Sequence, residues 1–294
     1  MEVDGVRVRV AIRAGRGRPL LVFNGIGANL DIVTPFIDAM DGYEVIIFDM
    51  PGTGESDTLR CPTRFAGFAR FTARLLDRLG YREAVDVAGV SWGGAMAQQF
   101  ALDFPERTNR LVLAATMAGL PSVPARPAVL RRMITPRRYI SRSFLTRVAP
   151  EIYGGLMRSR PDLIARHGSL TRRPNLRGYI YQLLAIQGWS SAHRLYRLKA
   201  PTLVMGGDDD PLIPLVNIKL LYWLIPKSYL HVMRGGGHLF MVARANECAA
   251  IVRRFLNERR HDGTDVQDYF LRRGLTAEGE LPPPAWLSES QTPA

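Results

Sequence analysis

Cysteine is scarce in this sequence: its 294 residues include only Cys61 and Cys248. Two cysteines cannot form a disulfide framework or a cysteine metal site, so we expect two reduced thiols and no metal centre. The stretch GRGRP near the start lacks the Gly-Lys-Ser/Thr ending of a phosphate-binding loop. The sequence therefore predicts a protein that uses neither a metal nor another cofactor.

Long hydrophobic runs are also missing. The longest apolar runs, such as residues 20–23 and 45–48, are far too short to cross a bilayer. The first residues alternate Val with Arg and lack the apolar core and cleavage site of a signal peptide. We therefore expect no transmembrane segment and a cytoplasmic location.

Acidic residues are nearly absent from residues 121–199, which contain sixteen Arg and Lys residues but only Glu151 and Asp162 as acids. The net charge of the whole chain is +12, so this segment carries +14 and the remainder −2. Such a surplus fits either an anionic partner surface or a solvated arginine-rich face. A nucleic-acid partner is not expected, because no recognition motif accompanies the charge.

Apolar runs that end in turn residues alternate with stretches of helical spacing. Residues 19–25 and 43–54 are typical of buried strands, whereas residues 63–79 and 94–104 have the spacing of helices. This alternation predicts an α/β fold with a mainly parallel sheet flanked by helices. Residues 6–12 alternate apolar and polar side chains, which predicts one half-exposed strand.

The pattern changes in residues 121–199, the lid segment, which are rich in Pro and Arg and predict several helices but no strand. We expect residues 1–120 and 200–260 to form the α/β core. The lid segment is then an insertion over the carboxyl edge of the sheet, where such sheets bind ligands. Residues 261–294 lack a sustained period and are expected to be a mostly flexible tail.

The motif G-x-S-x-G spans Gly89 to Gly93 and lies between a predicted strand and a predicted helix. In this setting the motif is typical of a sharp turn that exposes a nucleophilic serine, here Ser91. Gly89 and Gly93 leave room for the crowded backbone of the turn. The helix that begins near Trp92 directs its N–H groups towards a developing oxyanion.

A serine nucleophile needs a base and an acid, and the expected chain order is serine, acid, histidine. His238 follows a predicted strand and a glycine-rich turn, which makes it the candidate base. Three acids, Asp208, Asp209 and Asp210, follow the preceding predicted strand. We select Asp210 because it ends the loop, and the alternative for the other two is turn formation.

An oxyanion hole requires two N–H donors. One candidate is the backbone N–H of Trp92, the residue after the nucleophile. The second is the backbone N–H of Ile26, in the loop FNGIGAN after an earlier strand. An ordinary glycine turn is the alternative interpretation of this loop.

Five motifs, in order and at matching spacing, resemble the α/β-hydrolase fold: NGIG, DMPGTGESD, GVSWGG, GDDDPLIP and GGGHLF. Longer stretches, such as LLVFNGIGANLDIVTPF and GVSWGGAMAQQFALDFPER, resemble the intracellular poly(3-hydroxyalkanoate) depolymerases of the medium-chain-length class. The three glycines before His238 and the acidic, Pro-containing tail depart from that family's pattern.

The resemblance implies a serine hydrolase of storage polyester granules, with Ser91 as nucleophile, Asp210 as acid and His238 as base. Three lid residues are then expected to contact the acyl chain or the polymer, with plain lid core as the alternative: Met157, Leu184 and Trp189. The basic lid segment would meet an anionic granule coat.

Other functions remain open on the same residues. A small-ester or monoacylglycerol hydrolase, or an acyltransferase, would use the same three side chains, and fold alone does not separate these activities. Haloperoxidase-like chemistry is a conceivable side reaction. A non-catalytic binding protein of this fold would typically lose one of the three side chains, and all three are present.

Overall fold

The computed structural model describes residues 1–257. The expected tail, residues 261–294, lies outside these residues. Within residues 1–257 we find no helix of the length and apolar composition that crossing a bilayer requires.

The strands of the described residues are short, and most are strongly apolar. They are β1 (Glu2–Val3), β2 (Val6–Arg7), β3 (Val10–Arg13), β4 (Arg16–Phe23), β5 (Tyr43–Phe48), β6 (Val85–Val90), β7 (Thr108–Ala114), β8 (Thr202–Gly207) and β9 (Ser228–Met233). In β6 and β8 every residue is buried, as expected for strands covered on both faces.

Helices follow most of these strands. They are α1 (Thr34–Ala39), α2 (Phe65–Arg78), α3 (Trp92–Asp103), α4 (Pro127–Ile134), α5 (Arg137–Ile140), α6 (Arg142–Tyr153), α7 (Pro161–Leu170), α8 (Leu176–Ile186), α9 (Leu215–Leu224), α10 (Phe240–Ala243) and α11 (Ala245–Asn257). Short 3₁₀ helices occur at Leu30–Val33, Pro105–Arg107, Gly155–Arg158 and Ala192–Arg197. Helices α4 to α8 all lie in the lid segment, between β7 and β8.

In the described residues, seven strands form one sheet in the order β3-β5-β4-β6-β7-β8-β9. Neighbouring strands are parallel except β3, which pairs antiparallel with β5. The expected mainly parallel sheet flanked by helices is therefore confirmed. Since β6, β8 and β9 run in the same direction, the residues that follow them meet at one edge.

The core lies on both faces of this sheet. Alternate side chains of β4 point to opposite faces, as strand geometry requires. Leu21 and Phe23 pack in the cluster that includes apolar residues of α2 and α3. Leu20 and Val22 pack in the second cluster, which includes apolar residues of α1 and α11.

The single strand expected at residues 6–12 is wrong, because β2 and β3 are separate strands in different sheets. Arg9 lies between them. Its backbone N–H donates to the Ser56 hydroxyl at 3.0 Å, and its guanidinium forms two 2.9 Å hydrogen bonds with the Asp31 carboxylate. The Ser56 hydroxyl therefore takes the place of the backbone acceptor that the Arg9 N–H would have in a continuous ladder.

The same charged cluster joins the lid segment to the core. Arg172 donates to the Asp31 carboxylate at 3.0 Å and to the Glu55 carboxylate at 2.6 Å. Its backbone N–H donates to the Asn29 side-chain oxygen at 3.0 Å. Asp31 therefore holds two arginines, one from the core and one from the lid segment.

We predict that Asp31→Asn lowers the melting temperature by a few degrees at pH 7. Hydrogen bonding to Arg9 lowers the pKa of Asp31 below its ordinary value. A carboxylate with a lowered pKa stabilises the fold at pH values above its ordinary pKa, and this stabilisation is lost as the pH falls through the pKa of the folded state. The difference in melting temperature between wild type and Asp31→Asn should therefore disappear at strongly acidic pH. A loss on the order of 1 kcal/mol is expected.

The control is Asp41→Asn, which removes an exposed carboxylate that pairs with Arg13 at 3.3 Å. Thermal unfolding at several pH values measures both variants. An equal effect of the two substitutions at pH 7, or an Asp31→Asn effect that grows on acidification, would contradict the assignment.

Candidate active site

Ser91 occupies the corner between β6 and α3. Its backbone has φ 57° and ψ −121°, a conformation that side-chain-bearing residues rarely adopt. Such strain persists only where the surroundings enforce it, and it occurs most often at functional sites. Here it directs the hydroxyl out of the sheet edge.

The two glycines of the motif make this corner possible. A Cβ atom on Gly93 would lie 2.2 Å from the carbonyl oxygen of Phe23, and one on Gly89 would lie 2.2 Å from the carbonyl oxygen of Gly93. Both distances are far inside van der Waals contact with backbone atoms. Glycine is therefore required at both positions if α3 is to begin directly behind the serine.

His238 connects the serine to a carboxylate. Its Nε2 lies 3.0 Å from the Ser91 hydroxyl oxygen, and its Nδ1 lies 2.9 Å from Asp210 Oδ2. The side chains of His238 and Asp210 are both almost fully buried. Because the carboxylate accepts the proton on Nδ1, Nε2 is free to accept the serine proton.

Local contacts fix the orientation of this pair. The other oxygen of Asp210 accepts the backbone N–H groups of Leu212 and Ile213, at 2.8 and 2.9 Å. The backbone N–H of His238 donates to the carbonyl oxygen of Tyr153 at 2.6 Å, and the two rings lie nearly parallel with centroids 6.5 Å apart. The imidazole is therefore held by a residue of the lid segment as well as by the carboxylate.

The other two acids of the triplet have separate structural contacts. Asp208 accepts the backbone N–H of Gly235 at 2.6 Å. Asp209 accepts the N–H of Gly155 at 2.7 Å and forms two hydrogen bonds with Arg158, at 2.9 and 3.0 Å. The Arg158 hydrogen bonds lower the pKa of Asp209. Of the three acids, the structure places Asp210 alone against His238.

The loop of residues 24–29 contains the second expected oxyanion donor. In the described part of the chain, the backbone N–H groups of Ile26 and Trp92 donate to no other protein group. The side chains of both residues line cavities that reach Ser91. These N–H groups are therefore available to a ligand oxygen beside the serine.

Residues of the lid segment form hydrogen bonds with the loop of residues 24–29 and with Trp92. Gln182 accepts the N–H of Gly27 through its side-chain oxygen at 2.7 Å and the indole N–H of Trp92 through its backbone oxygen at 3.1 Å. The Tyr139 hydroxyl donates to the carbonyl oxygen of Ile26 at 2.5 Å. Sequence reasoning missed Gln182 and Tyr139, because no local pattern marks contacts between residues so far apart in the chain.

Two cavities meet at Ser91. The larger one has a volume of about 490 Å³ and is mostly apolar, with walls that include Trp92, Leu130, Leu183, Ile186, Trp189 and Ile213. The smaller one has a volume of about 50 Å³ and is lined by both Ser91 and His238. Its walls also include four polar side chains of the lid segment, Arg138, Tyr139, Tyr153 and His167.

Comparison with known proteins identifies the fold family. The sequence model of the alpha/beta hydrolase fold matches residues 18–244. The chain belongs to this family. The hydrolase is 52% identical to the poly(3-hydroxyalkanoate) depolymerase of Ectopseudomonas oleovorans, over 88% of this chain and 92% of the relative. The resemblance inferred from its motifs is therefore confirmed.

More distant relatives share the fold. A 2-hydroxy-6-oxononadienedioate/2-hydroxy-6-oxononatrienedioate hydrolase of Burkholderia vietnamiensis is 33% identical over 86% of this chain and 92% of its own. Among solved structures, a thermophilic esterase from Thermogutta terrifontis superposes with a TM-score of 0.73 at 24% identity, covering 85% of this chain and 93% of its own. The enol-lactonase from Burkholderia xenovorans superposes with a TM-score of 0.75 at 21% identity, covering 87% and 98%.

Of the three residues expected to contact the substrate of the hydrolase, one lines a cavity at Ser91 and two do not. Trp189 lines the larger cavity, and its indole N–H donates to Gln99 at 2.8 Å. Leu184 does not line this cavity, since the helical phase of α8 directs it to solvent and turns Leu183 inward. Met157 lines neither cavity at Ser91, because it packs against the glycine turn before His238. Leu184 and Met157 therefore do not line the cavities at Ser91, and their contact with the polymer stays a prediction.

The hydrolase has no evident metal site in residues 1–257. No group of three or more His, Cys, Asp or Glu side chains is arranged there to hold an ion. Both cysteines are free, Cys61 at the surface and Cys248 in the core. Burial raises the pKa of the Cys248 thiol to about 12, which makes this thiol unreactive.

We predict that Gly93→Ala lowers both the melting temperature and the hydrolase activity by a large factor, because the added methyl group must push α3 away from the end of β4. The matched control is Gly168→Ala in α7, where an added Cβ would meet the end of the Leu145 side chain at 3.2 Å. Thermal unfolding and ester hydrolysis compare the two variants. Equal tolerance of both would contradict the assigned role of Gly93.

Proposed function

We propose that this hydrolase cleaves the ester bonds of an intracellular poly(3-hydroxyalkanoate) storage polyester through Ser91, His238 and Asp210. The observation that carries the proposal is the hydrogen-bonded chain of these three side chains at the junction of two cavities. The 52% identical depolymerase supports the polyester as the substrate class.

In the first half of the proposed reaction, His238 accepts the proton of Ser91 through Nε2 while the serine oxygen attacks the ester carbonyl carbon. The backbone N–H groups of Ile26 and Trp92 stabilise the resulting oxyanion. Asp210 stabilises the imidazolium through Nδ1. His238 then donates the proton to the departing alkoxide, which leaves an acyl group on Ser91.

In the second half, water attacks the acyl carbon. His238 accepts a proton from this water and returns it to the Ser91 oxygen as the carboxylic acid leaves. The same N–H groups stabilise the second oxyanion. The products are 3-hydroxy acids or shorter oligomers, and no metal or organic cofactor takes part in any of these steps.

The shape of the larger cavity supports an acyl group with an aliphatic side chain. Its volume of about 490 Å³ and its apolar walls match a medium-length hydrocarbon chain better than a short or charged one. Two of the residues that line it, Leu120 and Ile134, are also strongly exposed. The cavity therefore opens at an apolar part of the surface.

An exposed apolar stripe on the lid segment supports contact with an insoluble polymer. Leu176, Ile180 and Leu184 recur at every fourth position of α8, so they share one face, and they are 62%, 44% and 41% exposed. Arg173 and Arg177 are exposed beside them. The stripe suits an apolar surface, and the arginines suit an anionic coat on the same particle.

The decisive assay compares three substrates: native medium-chain polyester granules, p-nitrophenyl esters and monoacylglycerols. We predict that wild-type protein releases 3-hydroxy acids from the granules and that Ser91→Ala reduces this rate by about 10⁴-fold or more. The control Ser143→Ala removes an exposed serine and should change the rate little. Hydrolysis confined to the small esters would contradict the polyester, and undiminished hydrolysis by Ser91→Ala would contradict the mechanism.

We predict that replacing Leu176, Ile180 and Leu184 together by Ser weakens adsorption to granules by at least about tenfold, because three apolar side chains lose their contact with the polymer. The ratio of granule hydrolysis to p-nitrophenyl ester hydrolysis should fall accordingly. The matched control replaces Val216 and Trp223, which are similarly exposed on α9, by Ser. An equal loss in both variants, or none in the first, would contradict a role for the stripe.

A further inference from the structure

Arg138 is a buried cation with no carboxylate partner in the described residues. It lies on α5 of the lid segment and is only 2% exposed. Its terminal N–H groups donate to the backbone oxygens of Met133 and Thr135 and to the hydroxyl groups of Tyr139 and Tyr179, all uncharged acceptors. Its Nε is buried and has no hydrogen-bond partner among residues 1–257. The rings of Tyr139 and Tyr179 lie 4.4 and 5.9 Å from the guanidinium carbon, so the charge is partly compensated by aromatic rings but by no carboxylate of the described residues. Burial of a cation without a carboxylate is costly, and an anionic ligand would reduce this cost.

His167 is a second buried polar group without a complete set of partners. Its Nδ1 makes no hydrogen bond within the described residues. Burial, assisted by the positive charge of Arg138, lowers the pKa of His167 to about 4, so the ring is neutral at neutral pH. Both side chains line the smaller cavity, together with Ser91 and His238.

Among residues 1–257, no acid lines this cavity, and Arg138 is the only permanently charged side chain in its lining. Burial raises the pKa of Tyr153, so this neighbouring hydroxyl stays neutral. The lining of the cavity therefore includes one positive charge and, among the described residues, no acid that balances it, which favours a ligand with an anionic group.

The position of His238 assigns a role to each cavity. His238 lines the smaller cavity but not the larger one, whereas Ser91 lines both. His238 gives its proton to the alkoxide that leaves, so the leaving group has to lie on the side of the smaller cavity. The acyl group then extends into the larger, apolar cavity.

We propose that Arg138, assisted by His167 Nδ1, forms a subsite for the free carboxylate at the end of a 3-hydroxyacyl polyester. In a terminal 3-hydroxyacyl unit the carboxylate carbon is three bonds from the ester oxygen. A unit that leaves with its oxygen at His238 therefore carries its carboxylate into the smaller cavity. This assignment rests on the proposed ester hydrolysis and specifies that the polyester is cleaved from its carboxyl end.

The subsite determines that units are released from the carboxyl end of the polyester. The Ser91 oxygen bonds to the carbonyl carbon of the penultimate unit, and the bond from that carbon to the terminal unit's oxygen breaks. The serine proton passes through His238 to this oxygen, which releases a free 3-hydroxy acid from Arg138. Water then adds hydroxide to the acyl carbon and returns a proton to Ser91, so the shortened chain ends in a new carboxylate that fits the subsite again.

The test compares a linear trimer of 3-hydroxyoctanoate that has a free carboxyl end with the methyl ester of the same trimer. We expect wild-type protein to favour the free acid by at least about tenfold in kcat/KM, since charged hydrogen bonds are strong in a buried site. Arg138→Gln should bring this ratio close to one, and Arg138→Lys should retain part of it. A ratio does not depend on the amount of folded protein, which matters because Arg138 also binds lid carbonyls.

The matched control is Arg137→Gln, the same change at the preceding, exposed residue of α5, which should keep the wild-type ratio. A second measurement is inhibition of p-nitrophenyl ester hydrolysis by 3-hydroxyoctanoate and by its amide. We expect the acid to inhibit wild-type protein more strongly than the amide, and Arg138→Gln to lose this difference.

The outcomes separate the subsite from the proposed function. Hydrolysis of both trimers at equal rates by wild-type protein, or an unchanged ratio in Arg138→Gln, would overturn the subsite and leave ester hydrolysis standing. If p-nitrophenyl esters are cleaved but neither trimer is, the polyester proposal fails. In that case equal inhibition by acid and amide overturns the subsite as well, whereas selective inhibition that requires Arg138 supports it.

Discussion

His238 donates through Nδ1 to a buried oxygen of Asp210, 2.9 Å away, and this hydrogen bond determines which nitrogen faces Ser91. Without the carboxylate the ring would be free to take the other tautomer, and Nε2 would then donate rather than accept. Much of the surrounding structure maintains this one contact. The two N–H groups that bind the second oxygen of Asp210 prevent rotation of the carboxylate, and the carbonyl oxygen of Tyr153 accepts the backbone N–H of His238.

The α/β core and the lid segment contribute different parts of the site. The core presents three strand ends at one edge of a parallel sheet, and this topology brings together residues that are 28 and 147 positions apart. The lid segment supplies Gln182, which binds next to both candidate oxyanion donors, and part of the walls of both cavities. We infer that the core fixes the type of chemistry, while the lid segment fixes which ester enters and which end of it lies beside His238.

The sequence predicts what depends on local pattern and fails where a long-range contact decides. Strand, turn and helix signals are sufficient to place Ser91 and His238 at the ends of their strands, and the parallel sheet that follows from them is confirmed. The strand at residues 6–12 is wrong because Arg9 has partners that lie 22 and 47 residues away. Leu183 rather than Leu184 lines the larger cavity, because the composition of an apolar helix does not determine which of its faces turns inward. Nothing near Arg138 in the sequence reports that its charge is buried.

Reaction of the purified protein with a fluorophosphonate, followed by intact mass measurement and peptide mapping, tests the central claim most directly. Our account predicts a single adduct, on Ser91, and labelling that is slower by about a hundredfold or more when His238 is replaced by Ala, because the general base is then missing. An adduct on a different residue, or labelling at the same rate without the imidazole, would contradict the activation of Ser91 by His238 and Asp210.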